Sequence, residues 1–188
     1  MSVTTLDAAT ALIVVDLQKG GLSTTPVPNA MDDVIARSRQ LADAFRARDL
    51  PVVLVRVVGG PPGRVEHVRS TARPPRPADW TDFVPELGQQ PGDHVVEKRT
   101  WGAFTGTDLG AYLRARGVTQ VVITGCATSI GVESTARQAH ELGLNVTIVS
   151  DAVTDVDGAA HENSMTRIFP RMSETGTAND VLAALGAA

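Results

Sequence analysis

The chain has 188 residues, 43% hydrophobic and 20% charged, with a formal net charge of -4 and one cysteine. A chain of this size buries around 70% of the surface it exposes when unfolded, so one domain spanning residues 1–188 is the default expectation. The acidic balance gives no general attraction to nucleic acid, no run approaches the roughly 18 apolar residues of a membrane span, and a lone cysteine excludes an internal disulfide.

Four scattered histidines, His67, His94, His140 and His161, show no metal-ligand spacing, so no metal or cofactor is expected. The opening MSVTTLDAATALIVVDLQ has no basic leader before its apolar stretch, which predicts a cytoplasmic protein.

The first apolar run, ALIVV at 11–15, is followed directly by Asp16 and, two positions on, Gln18. Val34, Ile35, Ser38, Leu41, Ala42 and Phe45 then repeat at i, i+3, i+4 spacing and predict an amphipathic helix. A second run, PVVLVRVV at 51–58, leads into GGPPGRVEHVRSTARPPRPADW at 59–80, which is rich in Gly, Pro and Arg and has little periodicity. This segment is either a surface excursion or a pocket wall, since loops this long are often functional. In the second case Arg64, Arg69, Arg73 and Arg76 would favour anionic groups.

HVVE at 94–97 precedes Lys98, and Leu109 and Leu113 mark a further helix. QVVITG at 120–125 ends at Cys126, VESTARQAHELG at 132–143 reads as a helix with a glycine stop at Gly143, and NVTIVS at 145–150 ends at Asp151. The apolar runs are short, β-branched and without clean alternation, as strands buried on both faces are. Strand, helix, strand repeated along the chain predicts an α/β fold with a mostly parallel sheet covered by helices on both sides.

In open α/β sheets ligands bind outside the carboxyl ends of the strands. The polar residues standing there are Asp16, Lys98, Cys126 and Asp151, and an acid, an amine and a thiol converging would make a hydrolytic group. Each has a plainer reading: Asp16 could cap a turn, Lys98 could be a solvated lysine, and Cys126 could be a small buried filler. Asp151 reads as a hydrogen-bonding loop anchor.

Three blocks, LIVVDLQ, VVEKRTWGAFTGTDL and VITGCATSIGVESTARQAHELGLNVTIVSDA, resemble in order and spacing those of the isochorismatase-like hydrolases, the cysteine hydrolase superfamily. The resemblance covers most of the chain. It implies a three-layer αβα, doubly wound fold with a six-stranded sheet, a dimer or tetramer, and a catalytic Asp, Lys and nucleophile. The first two fall on Asp16 and Lys98. Amidase members read Gly-x-Ala-Thr-x-x-Cys-Val-x-x-Thr-Ala-Arg, and on GCATSIGVESTAR this places Gly131 at the nucleophile position. Cys126 stands five positions too early, at a Cys126–Ala127 link where the resemblance suggests a cis peptide.

Glycine at that position is what true isochorismatases have. The expectation is therefore hydrolysis of a vinyl ether in a small, anionic metabolite by Asp16 and Lys98, without a cysteine nucleophile. Gln18, Trp101 and Phe104 are candidate pocket walls, with core packing the alternative for Phe104, and Cys126 and Ala127 join them as substrate contacts. The competing readings are amide hydrolysis by activated water or by Cys126, and a catalytically silent metabolite-binding fold. No nucleic-acid or membrane partner is expected.

Overall fold

The computed structural model describes residues 3–22, 25–66 and 75–187. Six strands, β1 (Thr10–Val15), β2 (Val52–Val57), β3 (His94–Lys98), β4 (Gln120–Cys126), β5 (Asn145–Thr154) and β6 (Glu174–Gly176), form one sheet in the order β3-β2-β1-β4-β5-β6. Every pairing in it is parallel. The connections carry α1 (Met31–Arg46), α2 (Leu109–Ala115), α3 (Glu133–Glu141), α4 (Gly158–Asn163) and α5 (Ala178–Ala187).

Both faces of the sheet are covered, which explains the unbroken apolar runs. Leu12 and Val14 of β1 pack with Val34, Leu41 and Phe45 of α1 and Val181 of α5. The intervening Ala11, Ile13 and Val15 pack with Leu113 of α2 and Ala136 and Ala139 of α3. Side chains alternate across a strand, so a strand with helices on each side needs apolar residues at successive positions. The whole of β1 is buried.

The five strands read from apolar runs are all present, and the sixth matches the fold expected from the resemblance. β6 is only Glu-Thr-Gly and carries no hydrophobic signal of its own. Helix α1 begins three residues before the periodicity does, and α4 and α5 were not anticipated. Gly143 has the left-handed backbone, φ 82°, expected of a helix stop. Among the described residues no helix is long and apolar enough to cross a membrane.

The strand order reverses between β1 and β4, which both start from the middle of the sheet and lead off in opposite directions. That is where a crevice opens in doubly wound sheets. Asp151 lies at some remove from it: its Oδ1 accepts from the Ala178 N–H at 2.8 Å and its Oδ2 is 3.2 Å from Arg37 Nε. It ties the start of α5 and the outer side of α1 to β5, the anchoring role read from the sequence. Asp151→Ala should therefore lower stability by about 1–2 kcal/mol, as loss of a helix-start acceptor does. Urea unfolding checks this, and an unmoved midpoint would show that α5 is held by packing alone.

Candidate active site

At the end of β1 the backbone turns sharply: Asp16 has φ 56°, left-handed for a residue with a side chain. Such a conformation persists only where the surroundings enforce it, and Asp is among the residues that tolerate it best. Here the Asp16 N–H still bonds to the Val55 carbonyl of β2 at 2.9 Å. The carboxylate meets Lys98 from the end of β3, with Oδ2 2.8 Å from Nζ. These two residues are 82 positions apart in sequence (98 − 16), and strand order alone brings them together.

The pair is buried, the Lys98 side chain 1% exposed and that of Asp16 14%. Lys98 also donates to the Trp101 carbonyl at 2.5 Å. Asp16 Oδ1 is buried with no hydrogen-bond partner among the described residues. Burial pushes the Asp16 carboxyl up to about 6, against the opposing pull of the Lys98 ammonium. The result is a carboxyl that titrates close to neutrality, with one oxygen engaged and the other free.

β4 supplies the third side. Gly125 has φ 116°, and a Cβ there would lie 2.0 Å from the Val15 carbonyl oxygen, so only glycine lets β4 approach the end of β1 this closely. The expected cis peptide between Cys126 and Ala127 is present. Beyond it a π-helical turn, Thr128–Val132, runs into α3. A Cβ on Gly131 would stand 3.0 Å from Asp16 Oδ2 and 3.2 Å from Lys98 Nζ. A side chain at 131 would thus touch both members of the pair.

Cys126 is oriented differently. Its thiol is buried and directed at the Asp16 backbone carbonyl, 3.5 Å away. Burial and the nearby Asp16 carboxylate push the thiol up to about 12, and Lys98 offsets this only in part. Reactive cysteines have depressed pKa values and access to solvent, and Cys126 has neither.

The pocket-wall residues divide. Trp101 is 54% exposed, with its carbonyl fixed by Lys98, and Ala127 is half-buried beside the turn. Gln18 is fully buried, and its amide is spent on the backbone: Nε2 donates to the carbonyls of Val57 and Trp80, and Oε1 accepts from the Val57 N–H. It braces the crevice and offers no free group to a ligand. Phe104 packs with the α2/α3 layer and lines surface clefts with Gly110 and Arg114, away from Asp16.

Of the arginine-rich segment, Arg69 and Arg73 lie outside the described residues. Arg64 is exposed, and the Arg76 guanidinium sits 4.0 Å from the Trp80 ring centroid. The end of the excursion is docked beside the site, because the Lys19 and Gly20 N–H groups bond to the Asp82 and Trp80 carbonyls at 2.9 Å.

Three residues at the site were not singled out in the sequence, although Thr135 falls on the Thr of the motif laid on GCATSIGVESTAR. Asp155, buried, accepts the Ser129 N–H at 2.7 Å and so fixes the start of the π-helical turn. His161 Nδ1 is 2.9 Å from Thr128 Oγ1, and burial holds its imidazole below the usual value against the pull of Asp155 and Glu162. Thr135 bonds to the backbone on two sides. Among the described residues no group of three or more His, Cys, Asp or Glu could hold a metal ion.

An acid and a lysine joined at the carboxyl end of a sheet, beside a turn opened by a cis peptide, is the constellation the sequence blocks led to. The family model described as the isochorismatase domain matches residues 10–180. The chain belongs to the isochorismatase family. It is 41% identical to the isochorismatase family protein YecD of Escherichia coli O157:H7, over 94% of this chain and 96% of that one. A solved isochorismatase family protein from Burkholderia thailandensis superposes with a TM-score of 0.85 at 48% identity, covering 97% of this chain and 98% of the other. Ureidoacrylate amidohydrolase RutB of Stutzerimonas stutzeri is 35% identical over 76% of this chain and 68% of its own length.

For this isochorismatase-family hydrolase the geometry makes a direct prediction about thiols. Iodoacetamide at pH 8 should leave native Cys126 unmodified while labelling it fully in urea, read by intact mass. Gly131→Cys should add one thiol, beside Lys98, that alkylates on the order of tenfold or more faster than Cys126. Rapid labelling of Cys126 in the folded wild type would overturn this placement.

Proposed function

We propose that this hydrolase cleaves a vinyl ether in a small anionic metabolite by acid catalysis, with Asp16 as the proton donor and no cysteine nucleophile. The observation carrying the reading is the buried Asp16 carboxyl, raised to about 6, with Oδ2 on Lys98 and Oδ1 free. Such a group can hold a proton near neutral pH on the oxygen that has no partner. Lys98 keeps the carboxyl oriented and stabilises the carboxylate left behind.

The proton passes from Asp16 to the terminal vinyl carbon, forming a C–H bond and leaving an oxocarbenium ion. Water adds to the cationic carbon and returns a proton to the Asp16 carboxylate. The hemiketal then collapses to an alcohol and a ketone, pyruvate if the substrate is an enolpyruvyl ether, with one water consumed. No covalent enzyme intermediate is needed. This agrees with the motif reading that places Gly131 where amidases carry their cysteine, and with a Cys126 thiol far from ionisation at neutral pH. An anionic substrate is favoured by Lys98 and by the arginines of the 59–80 excursion. The reading goes with the sequence expectations of a cytoplasmic location and no metal, and with the dimer or tetramer that the family resemblance implies.

A second reading is amide hydrolysis, favoured by the likeness to a relative named ureidoacrylate amidohydrolase. There Asp16 would act as the base that activates water, and the pH profile would invert. An acid must be protonated, so kcat/KM for vinyl ether cleavage falls as pH rises through the free enzyme's value of about 6, by about 50-fold between pH 6 and pH 8. A base must be ionised, so its profile rises through the same value. Isochorismate turnover followed by pyruvate release, run beside small amides with ammonia release, separates the two. Asp16→Asn should lower the correct activity by about 10²-fold or more, and near-normal turnover by that variant sinks both.

A further inference from the structure

We infer that Thr135 is a positioning residue for the acid–lysine pair: its hydroxyl couples the turn that carries Gly131 to the loop that holds Lys98. This deepens the function proposed above and rests on Asp16 and Lys98 being its working groups.

Thr135 lies in the first turns of α3 and is fully buried. Its Oγ1 donates to the Gly131 carbonyl at 2.7 Å and accepts from the Ala103 N–H at 3.1 Å. A hydroxyl is the smallest side-chain group that can donate and accept at once, and here the two bonds run to different strand ends. Gly131 belongs to the turn after β4, whereas Ala103 belongs to the loop after β3. That loop contains Trp101, whose carbonyl is the second acceptor of Lys98 Nζ. Lys98 is therefore suspended between Asp16 Oδ2 and a carbonyl whose own peptide strand is tied back, two residues later, to Thr135.

One turn further along α3, Gln138 repeats the contact. Its Oε1 accepts from the Phe104 N–H at 3.0 Å and its Nε2 donates to Thr105 Oγ1 at 2.7 Å. A Cβ on Gly102 would come within 2.2 Å of Gln138 Oε1, so the loop lies directly against this side chain. Three successive residues of the loop, 103 to 105, are thus addressed by two side chains of α3. Without Thr135 the buried Ala103 N–H has no partner, and the loop must shift to find one. The Trp101 carbonyl and Lys98 move with it.

The charged group that faces the Asp16 carboxyl is Lys98 from β3; the neighbouring Cys126 thiol of β4 points at the Asp16 backbone carbonyl and feels the carboxylate and Asp155 only through their fields. Lys98 is the one among them that favours the carboxylate. Slackening its hold should therefore raise the pH at which Asp16 titrates.

The test needs no substrate. The Asp16 carboxyl carbon is followed by ¹³C NMR against pH, with the resonance assigned from its loss in Asp16→Asn. Thr135→Val, which keeps the shape and removes the hydroxyl, should move the Asp16 midpoint upward by half a unit or more relative to wild type. Thr135→Ser should restore it, and Gln138→Ala should move it in the same direction by less. If Thr135→Val fails to fold, Thr135→Ala, which also removes the hydroxyl, is titrated in its place with the same upward shift expected. Equal midpoints in wild type and in the variant that lacks the Thr135 hydroxyl overturn the inference. A wild-type midpoint far from 6 would instead count against Asp16 as the acid and leave the comparison among Thr135 variants to be read on its own.

Discussion

The arrangement rests on an ion pair that folding alone does not favour. Taking a carboxylate and an ammonium out of water costs several kcal/mol each, and their attraction recovers this only when the remaining hydrogen-bonding positions are filled. Lys98 has a second acceptor in the Trp101 carbonyl, but Asp16 Oδ1 has no hydrogen-bond partner among the described residues. The cost is met by the rest of the molecule, through a sheet whose central strand is fully buried and sandwiched between two apolar layers. The unpaired oxygen is also the part of the site best suited to chemistry, because a satisfied carboxylate would titrate far from neutrality.

Topology explains why the pair can exist at all. β1 is flanked by β2 and β4, and β3 lies beyond β2, so a group at the end of β3 reaches Asp16 only by leaning across the end of β2. Lysine has the length to do so, and its side chain is buried along its whole length, 1% exposed. Backbone is brought close beside the pair. Gly125 admits β4 to the end of β1, Asp155 ties down the Ser129 N–H, and the β4/β5 register shifts between Ile123 and Gly125, just before the turn.

The central strands were legible because each is an apolar run of near-uniform character, and the residue immediately after such a run is placed at the sheet's edge by geometry alone. That is how Asp16 and Lys98 could be named from the sequence. β6 was not legible in this way: three residues, two of them polar, are a strand only because β5 is there to receive them. The same holds for Thr135, Asp155 and Gln18, whose roles depend on backbone partners contributed by other elements. Gln18 beside a strand end looked like a ligand group because nothing local reveals that Val57, 39 positions on, takes both ends of its amide. Cys126 was the reverse case. A lone thiol at a strand end attracts attention, while its burial and its orientation toward a carbonyl are properties of the folded chain.

That use of Gln18 has a consequence for the shape of the crevice. β1 stops pairing with β2 at Val15 and Val55, and the chain swings away at Asp16, while β2 continues to Val57 beside β3. The inner edge of β2 would then present an unsatisfied peptide group to the interior. Gln18 returns across the gap and offers it a substitute peptide, a carboxamide whose Nε2 donates to the Val57 carbonyl and whose Oε1 accepts from the Val57 N–H. The central strand can therefore end early, at Val15, without leaving the Val57 peptide of its neighbour unpaired. Glutamate at this position could accept but not donate, and would set a negative charge against two carbonyl dipoles. Asparagine would fall one carbon short of the span.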